Sequence, residues 1–307
     1  MQIAVNFNFD KPLLISMNIT TQPVSERIGQ QIVNVDNTSI WEIDRETIIS
    51  LYQEYGVLLL RGFATDADIF REFSNLFSTD FLDYAGGAFN RRVINGDNTL
   101  LSVNDFQTEI KLHGEMYYQK NIPLMLWFFC ANPASKDGET TVCDGRQFFA
   151  ELSNSTKELF RHKKLKFTAK MQKEEWQKKY KTDDVNELEE MCKSNDTHLT
   201  IYEDQSIILE YLCPVVIPSR CGKYQVFINS LLPAMQLNPD VLKFDDDSKI
   251  SNELMDELNE IAERLTTNIS WQKGDILMID NTRIMHGRRA FTDKNREIYI
   301  RLCSPGF

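Results

Sequence analysis

The sequence has no CxxC pair, no His- or Cys-rich tract, no excess of basic charge and no apolar run long enough to cross a bilayer. Each absence removes a class of function. Its six cysteines (130, 143, 192, 213, 221 and 303) are scattered, so they read as reduced packing thiols and point to a reducing compartment, the cytoplasm. Residues 56–60 and 124–130 are the longest apolar stretches and are far too short for a membrane span. The first ten residues lack a basic segment followed by an apolar one, so no signal peptide is expected. Lys and Arg number 34 against 45 Asp and Glu, a net charge of −11 that opposes a nucleic-acid partner. The basic run at 161–164 reads as a solvated face.

What is present is ordinary globular material, 42% apolar and 26% charged over 307 residues. With no repeat and no low-complexity linker, one domain over 1–307 is expected. Residues 46–55 carry apolar side chains at helical spacing and stop at Gly56, a helix C-terminal signal. A buried strand follows at 57–60, a second amphipathic helix at 66–77, an aromatic-rich strand at 122–130 and a helix from 144 to 152. Further strands are expected at 199–202, 206–212, 224–228 and 276–279, with a helix at 251–266 before the last. Helices early and short strands later suggest a mostly β fold with flanking α, a β-sandwich or jelly roll with helical decoration. Residues 171–198 are polar, of mixed charge, helical in propensity and without a long core face; they read as a solvated helix, or else as a surface insertion or a mobile lid.

Four histidines occur, at 113, 162, 198 and 286. His162 lies in the basic run and His198 ends the charged segment, so both are expected at the surface. His113-Gly114-Glu115 reads instead as part of a strand, where residues i and i+2 share a face, with Gly114 leaving the other face unencumbered. His286 follows the 276–279 strand and the Asp280-Asn281 turn, and a jelly roll can bring the two strands together. Two His and one carboxylate on one side of a metal leave other positions open, the arrangement of non-haem Fe(II) oxygenases. The triplet alone is weak evidence, because a lone His is more often structural.

Residues 271–303 carry a Gly-Asp pair, an apolar strand, Asp-Asn, His286-Gly-Arg288, Phe291 and an Arg-bearing strand. This resembles the C-terminal signature of the TauD/TfdA superfamily of Fe(II)/2-oxoglutarate oxygenases. Residues 54–63 are similar to the family's helix–strand entry, His113-Gly-Glu115 to its first two metal ligands, and Gly138-Glu-Thr140 to its Gly-Gly-acid-Thr turn. The resemblance runs in order from about residue 46 to the end and is thin over 155–220. Glu rather than Asp at 115 resembles the clavaminate synthase-like branch, many of whose members oxidise amino acids or their derivatives. A carboxylate at this position also argues against a halogenase.

The resemblance implies a double-stranded β-helix, His113, Glu115 and His286 as both metal ligands and catalytic centre, and Fe(II), 2-oxoglutarate and O2 as cofactor and cosubstrates. It also implies an arginine for the 2-oxoglutarate C5 carboxylate, to which a guanidinium can make paired charge-assisted bonds. Arg301 fits the family's Arg-Leu ending better than Arg296, and their odd separation lets only one point inward, so Arg301 is preferred with Arg296 as the alternative. Thr140 reads equally as a donor to the same carboxylate or as a turn residue bonding its own backbone. Asn104 could contact substrate or cosubstrate, Arg288 reads as structural, and Trp127-Phe128-Phe129 as core. The expected substrate is a small molecule, possibly an amino acid free or carrier-tethered, oxidised with release of succinate and CO2. Rival readings are a zinc hydrolase using the same three ligands and a non-catalytic jelly-roll binding protein.

Overall fold

The computed structural model describes residues 19–83, 91–104 and 106–307; the N-terminal segment weighed above as a signal peptide lies outside them. Two sheets face one another. The larger runs in the order Ile19–Pro23, Gln30–Asn34, Val57–Arg61, Ile276–Asp280, Met125–Asn132, Glu297–Ser304, Asp97–Ser102 and Val93–Ile94, with Asp80–Phe81 beside Glu297–Ser304. The smaller runs Thr267–Ile269, Thr140–Asp144, Ile284–Arg288 and Ile110–His113.

Alternation along the strands builds both sides of the larger sheet. Leu126, Phe128, Cys130, Ile298, Ile300 and Leu302 point between the sheets and meet Val142 and Ile284. Met125, Trp127, Phe129 and Cys303 point outward under the helices Arg45–Tyr55 and Ala67–Asn75, packing against Ile48, Phe70 and Phe73. The first helix is capped by Asp44, which accepts from Thr47 N, and is closed by Gly56 at φ +71°, a left-handed residue that glycine adopts without strain. Helix and strand positions expected from the sequence are thus found within a few residues, and the fold is the jelly roll with flanking helices.

Residues 171–198 are helical, as their propensity suggests, and differ from expectation in their packing. They form the helices Lys173–Tyr180 and Val185–Ser194 beside a four-stranded sheet of Thr197–Ile201, Ile207–Pro214, Lys164–Met171 and Leu242–Phe244. They do have a core: Trp176, Leu188 and Cys192 are buried against Ile207 and Leu209, and Trp176 Nε1 donates to Gln205 O at 2.9 Å. Each helix supplies one or two apolar residues, too few to give either a periodic signature of its own.

Candidate metal and cosubstrate site

The three residues expected to bind a metal meet at the smaller sheet. His286 is the antiparallel partner of His113 on one side and of Val142 on the other, while Arg288 sits opposite Thr140. Gly287 lets these strands close up, since a Cβ there would stand 2.4 Å from Ile110 O. Glu115 arrives differently from the strand expected for it. The strand ends at His113, and the chain turns through Glu115 into Met116, whose φ is +65°. The buried Asn281 amide fixes that turn: its oxygen accepts from Glu115 N at 2.8 Å, and its nitrogen donates to Glu115 O and Pro123 O. Nor is the far side of Gly114 open, because a Cβ would lie 2.4 Å from the Tyr117 ring and 2.7 Å from Ile228.

One donor atom from each of His113, Glu115 and His286 falls within 4.8 Å of the other two. Glu115 Oε2 is 3.4 Å from His286 Nε2 and 3.8 Å from His113 Nε2. Donors about 2.1 Å from a shared ion lie roughly 3 to 4 Å apart, so the spacing fits one metal. His113 Nδ1 lies 2.9 Å from Lys111 O, an acceptor only, so Nδ1 carries the proton and Nε2 offers its lone pair. Burial, with His113 beside it, lowers the pKa of His286 to about 4 and keeps it a neutral donor. Burial opposes charge on Glu115, yet Arg91 and the two imidazoles outweigh it and hold its carboxyl well below the usual range. Two imidazoles and a carboxylate are a donor set for a divalent transition metal.

A cavity of about 500 Å³ opens from this point. Thr140, Arg288, Arg296 and Phe128 line it near the histidines. Arg296 is 2% exposed and bonds only neutral acceptors, donating from Nε to Gly138 O at 3.1 Å and from Nη1 to Asn104 Oδ1 at 2.8 Å. Among the described residues no carboxylate lies within ion-pair distance of it. Burial, with Arg288 nearby, pushes its pKa down to about 9, the mark of a cation short of a counter-ion. Thr140 Oγ1 accepts from Trp271 Nε1 at 3.1 Å, which leaves its own proton to donate. Asn104 therefore holds Arg296 and does not itself line this cavity.

Arg301, preferred from the sequence, lies on the opposite face of the sheet. It donates to Arg71 O, Ser74 Oγ, Asn75 Oδ1 and Thr99 Oγ1 and stacks 3.5 Å over Phe81, so it closes the C-terminal turn of the helix Ala67–Asn75. The expectation that only one of the two arginines points inward was sound. The inward face is the one shared with Ile298 and Ile300, and their apolar character was the signal that separates the two. Arg288 donates to Val103 O and Thr108 O, not to the aspartates expected to hold it. His162 and His198 are exposed. Two residues escaped sequence reasoning: Arg91, which bonds Glu115, and Phe128, whose ring lies 5.6 Å from that of His286.

The sequence model of the family described as Taurine catabolism dioxygenase TauD, TfdA family matches residues 20–303. A clavaminate synthase-like protein of Arabidopsis thaliana is 24% identical over 275 residues, covering 83% of each chain. The dapdiamide synthesis protein DdaC of Enterobacter agglomerans is 24% identical over 283 residues, covering 84% of this chain and 85% of its own. Among solved structures, PvcB from Pseudomonas aeruginosa superposes with a TM-score of 0.61 at 15% identity, over 92% of this chain and 90% of its own. PvcB is described as an Fe, alpha-ketoglutarate dependent oxygenase from an isonitrile synthetic pathway.

Proposed function

The chain belongs to the TauD/TfdA family of Fe(II)- and 2-oxoglutarate-dependent dioxygenases, and from that premise we propose that it hydroxylates, desaturates or cyclises a small amino-acid-derived substrate. Bound Fe(II) would supply the site at which O2, the oxidant, takes two electrons from 2-oxoglutarate, which leaves as succinate and CO2, and two from the substrate. His113, Glu115 and His286 hold the metal in this reading. Arg296 takes the C5 carboxylate, and Thr140 adds a hydrogen bond to it. The observation that carries the assignment is the Arg296 guanidinium, a buried cation at the cavity wall that has no carboxylate partner among the described residues. An anion arriving there relieves a desolvation penalty that the fold otherwise bears.

Three features support an amino-acid-derived substrate. Relatives include proteins named for dapdiamide synthesis and for an isonitrile pathway. The cavity wall carries Phe106, Tyr118, Phe167 and Tyr211. Lys179 also lines it, a cation that suits a substrate carboxylate, whether the substrate is free or carrier-tethered. We assign residues 171–198 as a lid on the single domain, because Met171, Lys179, Tyr180 and Thr197 line the cavity. Closure of this segment would exclude water from the reaction. Among the described residues no helix is long and apolar enough to span a membrane. Six free cysteines, five of them buried, fit a cytoplasmic setting.

The test is a screen of free and carrier-tethered amino acids for substrate-stimulated succinate formation. A hit whose turnover is lost in Arg296→Leu supports the reading. Succinate formation indifferent to every such compound and to Arg296 contradicts it.

A further inference from the structure

Glu115 turns its two oxygens to different neighbours. Oε2 faces the imidazoles, 3.4 Å from His286 Nε2 and 3.8 Å from His113 Nε2. Oε1 accepts a 3.0 Å hydrogen bond from an Arg91 terminal nitrogen, and the two side chains are only 11% and 4% exposed. A guanidinium stays protonated at any working pH and holds a fixed donor geometry, so Oε1 is persistently engaged. Glutamate has one more rotatable bond than aspartate, and nothing in its covalent geometry prevents both oxygens from reaching one ion.

We propose that Arg91 is a positioning residue that restricts Glu115 to single-oxygen coordination and so keeps one metal position open for O2. The proposal rests on the Fe(II)/2-oxoglutarate reading above. In an octahedral site two imidazoles and one carboxylate oxygen fill three positions, and the C1 carboxylate and C2 carbonyl of 2-oxoglutarate fill two more. A chelating Glu115 takes the last, leaving none for O2. Arg91 also withdraws charge from Glu115, so its removal makes the carboxylate a stronger donor as well as a freer one. Metal affinity and access of the gas therefore move in opposite directions when Arg91 is lost. A merely structural Arg91 moves them together.

The experiment uses the full chain, as wild type, Arg91→Ala and Arg91→Gln, the last keeping a neutral donor in reach of Oε1. Anaerobic Fe(II) affinity is measured first, then the visible chelate band with 2-oxoglutarate. Nitric oxide, standing in for O2, is then titrated and followed by the electron paramagnetic resonance of its iron adduct. In Arg91→Ala, Fe(II) binding should be as tight as in wild type or tighter and the chelate band should persist, while nitric oxide affinity falls at least tenfold. Arg91→Gln should fall between the two and stands in if Arg91→Ala does not fold. Wild-type nitric oxide affinity in the folded variants overturns the proposal, as does parallel loss of metal and gas binding. A wild type without the chelate band overturns the functional reading itself, and the Arg91 proposal with it.

Discussion

His113 and His286 are cross-strand partners whose ring centres lie 4.3 Å apart, so truncating either removes a donor that no neighbour can replace. His286→Ala should abolish tight Fe(II) binding and turnover, whereas His162→Ala and His198→Ala, at exposed positions, should leave both unchanged. Metal content after gel filtration and succinate yield check this together. For the arginines, Arg296→Leu should raise the 2-oxoglutarate requirement roughly 100-fold or more, the scale of a truncated buried charge pair. Arg301→Leu should leave that requirement near wild type and instead destabilise the fold by roughly 2 kcal/mol, because it strips three hydrogen bonds from the end of a helix and one from Thr99 on the neighbouring strand. The opposite pattern restores Arg301 to the cosubstrate. At this scale the convergence of His113, Glu115 and His286 was legible, since their residue types and setting are specific in combination. Arg91 was not, because no local motif ties a loop arginine to a carboxylate 24 residues on.

Among the elements, the strand Ile284–Arg288 is anchored at its entry by Asp144. This buried carboxylate accepts from Arg146 and Arg283 and caps the helix Gly145–Glu151 through Arg146 N. Burial opposes its charge, but the two guanidiniums outweigh it and lower its pKa. A carboxylate whose folded pKa is depressed lends stability above its unfolded value, near 3.9, and loses it as the pH falls through the folded value. Asp144→Asn should therefore cost roughly 3 kcal/mol at neutral pH, and the gap between the two urea midpoints should narrow only below about pH 4. A gap that is constant down to pH 3 assigns the loss to shape and not to charge. Gly287→Ala should separate the two histidine strands, because the added methyl meets backbone at 2.4 Å, and should weaken metal binding with little change at the outer helices. Helix and strand positions were legible because periodicity and caps are local. The turn at Glu115 was not, since Asn281, far along the chain, holds Met116 in a conformation that sequence pattern does not encode.

Across the whole molecule, two facing sheets fix the end of the cavity proposed for metal and cosubstrate, while residues of the 171–198 unit line another part of its wall. If that unit closes over substrate, its amides should exchange faster than those of the sheets in the free enzyme and slow when substrate and 2-oxoglutarate are both bound. Exchange that is equal with and without ligands would assign it a fixed wall instead. The jelly roll was legible from the order of its elements, but the packing of this unit onto Ile207 and Leu209 was not, because the apolar residues come from separate helices and strands. The most direct test of the central claim is anaerobic titration of the protein with Fe(II) and 2-oxoglutarate, followed by visible absorbance. The account predicts the weak metal-to-ligand band of the chelate in wild type, its loss in His286→Ala, and a much higher 2-oxoglutarate midpoint in Arg296→Leu. No band in metal-loaded wild type, or an undiminished band in His286→Ala, would contradict it.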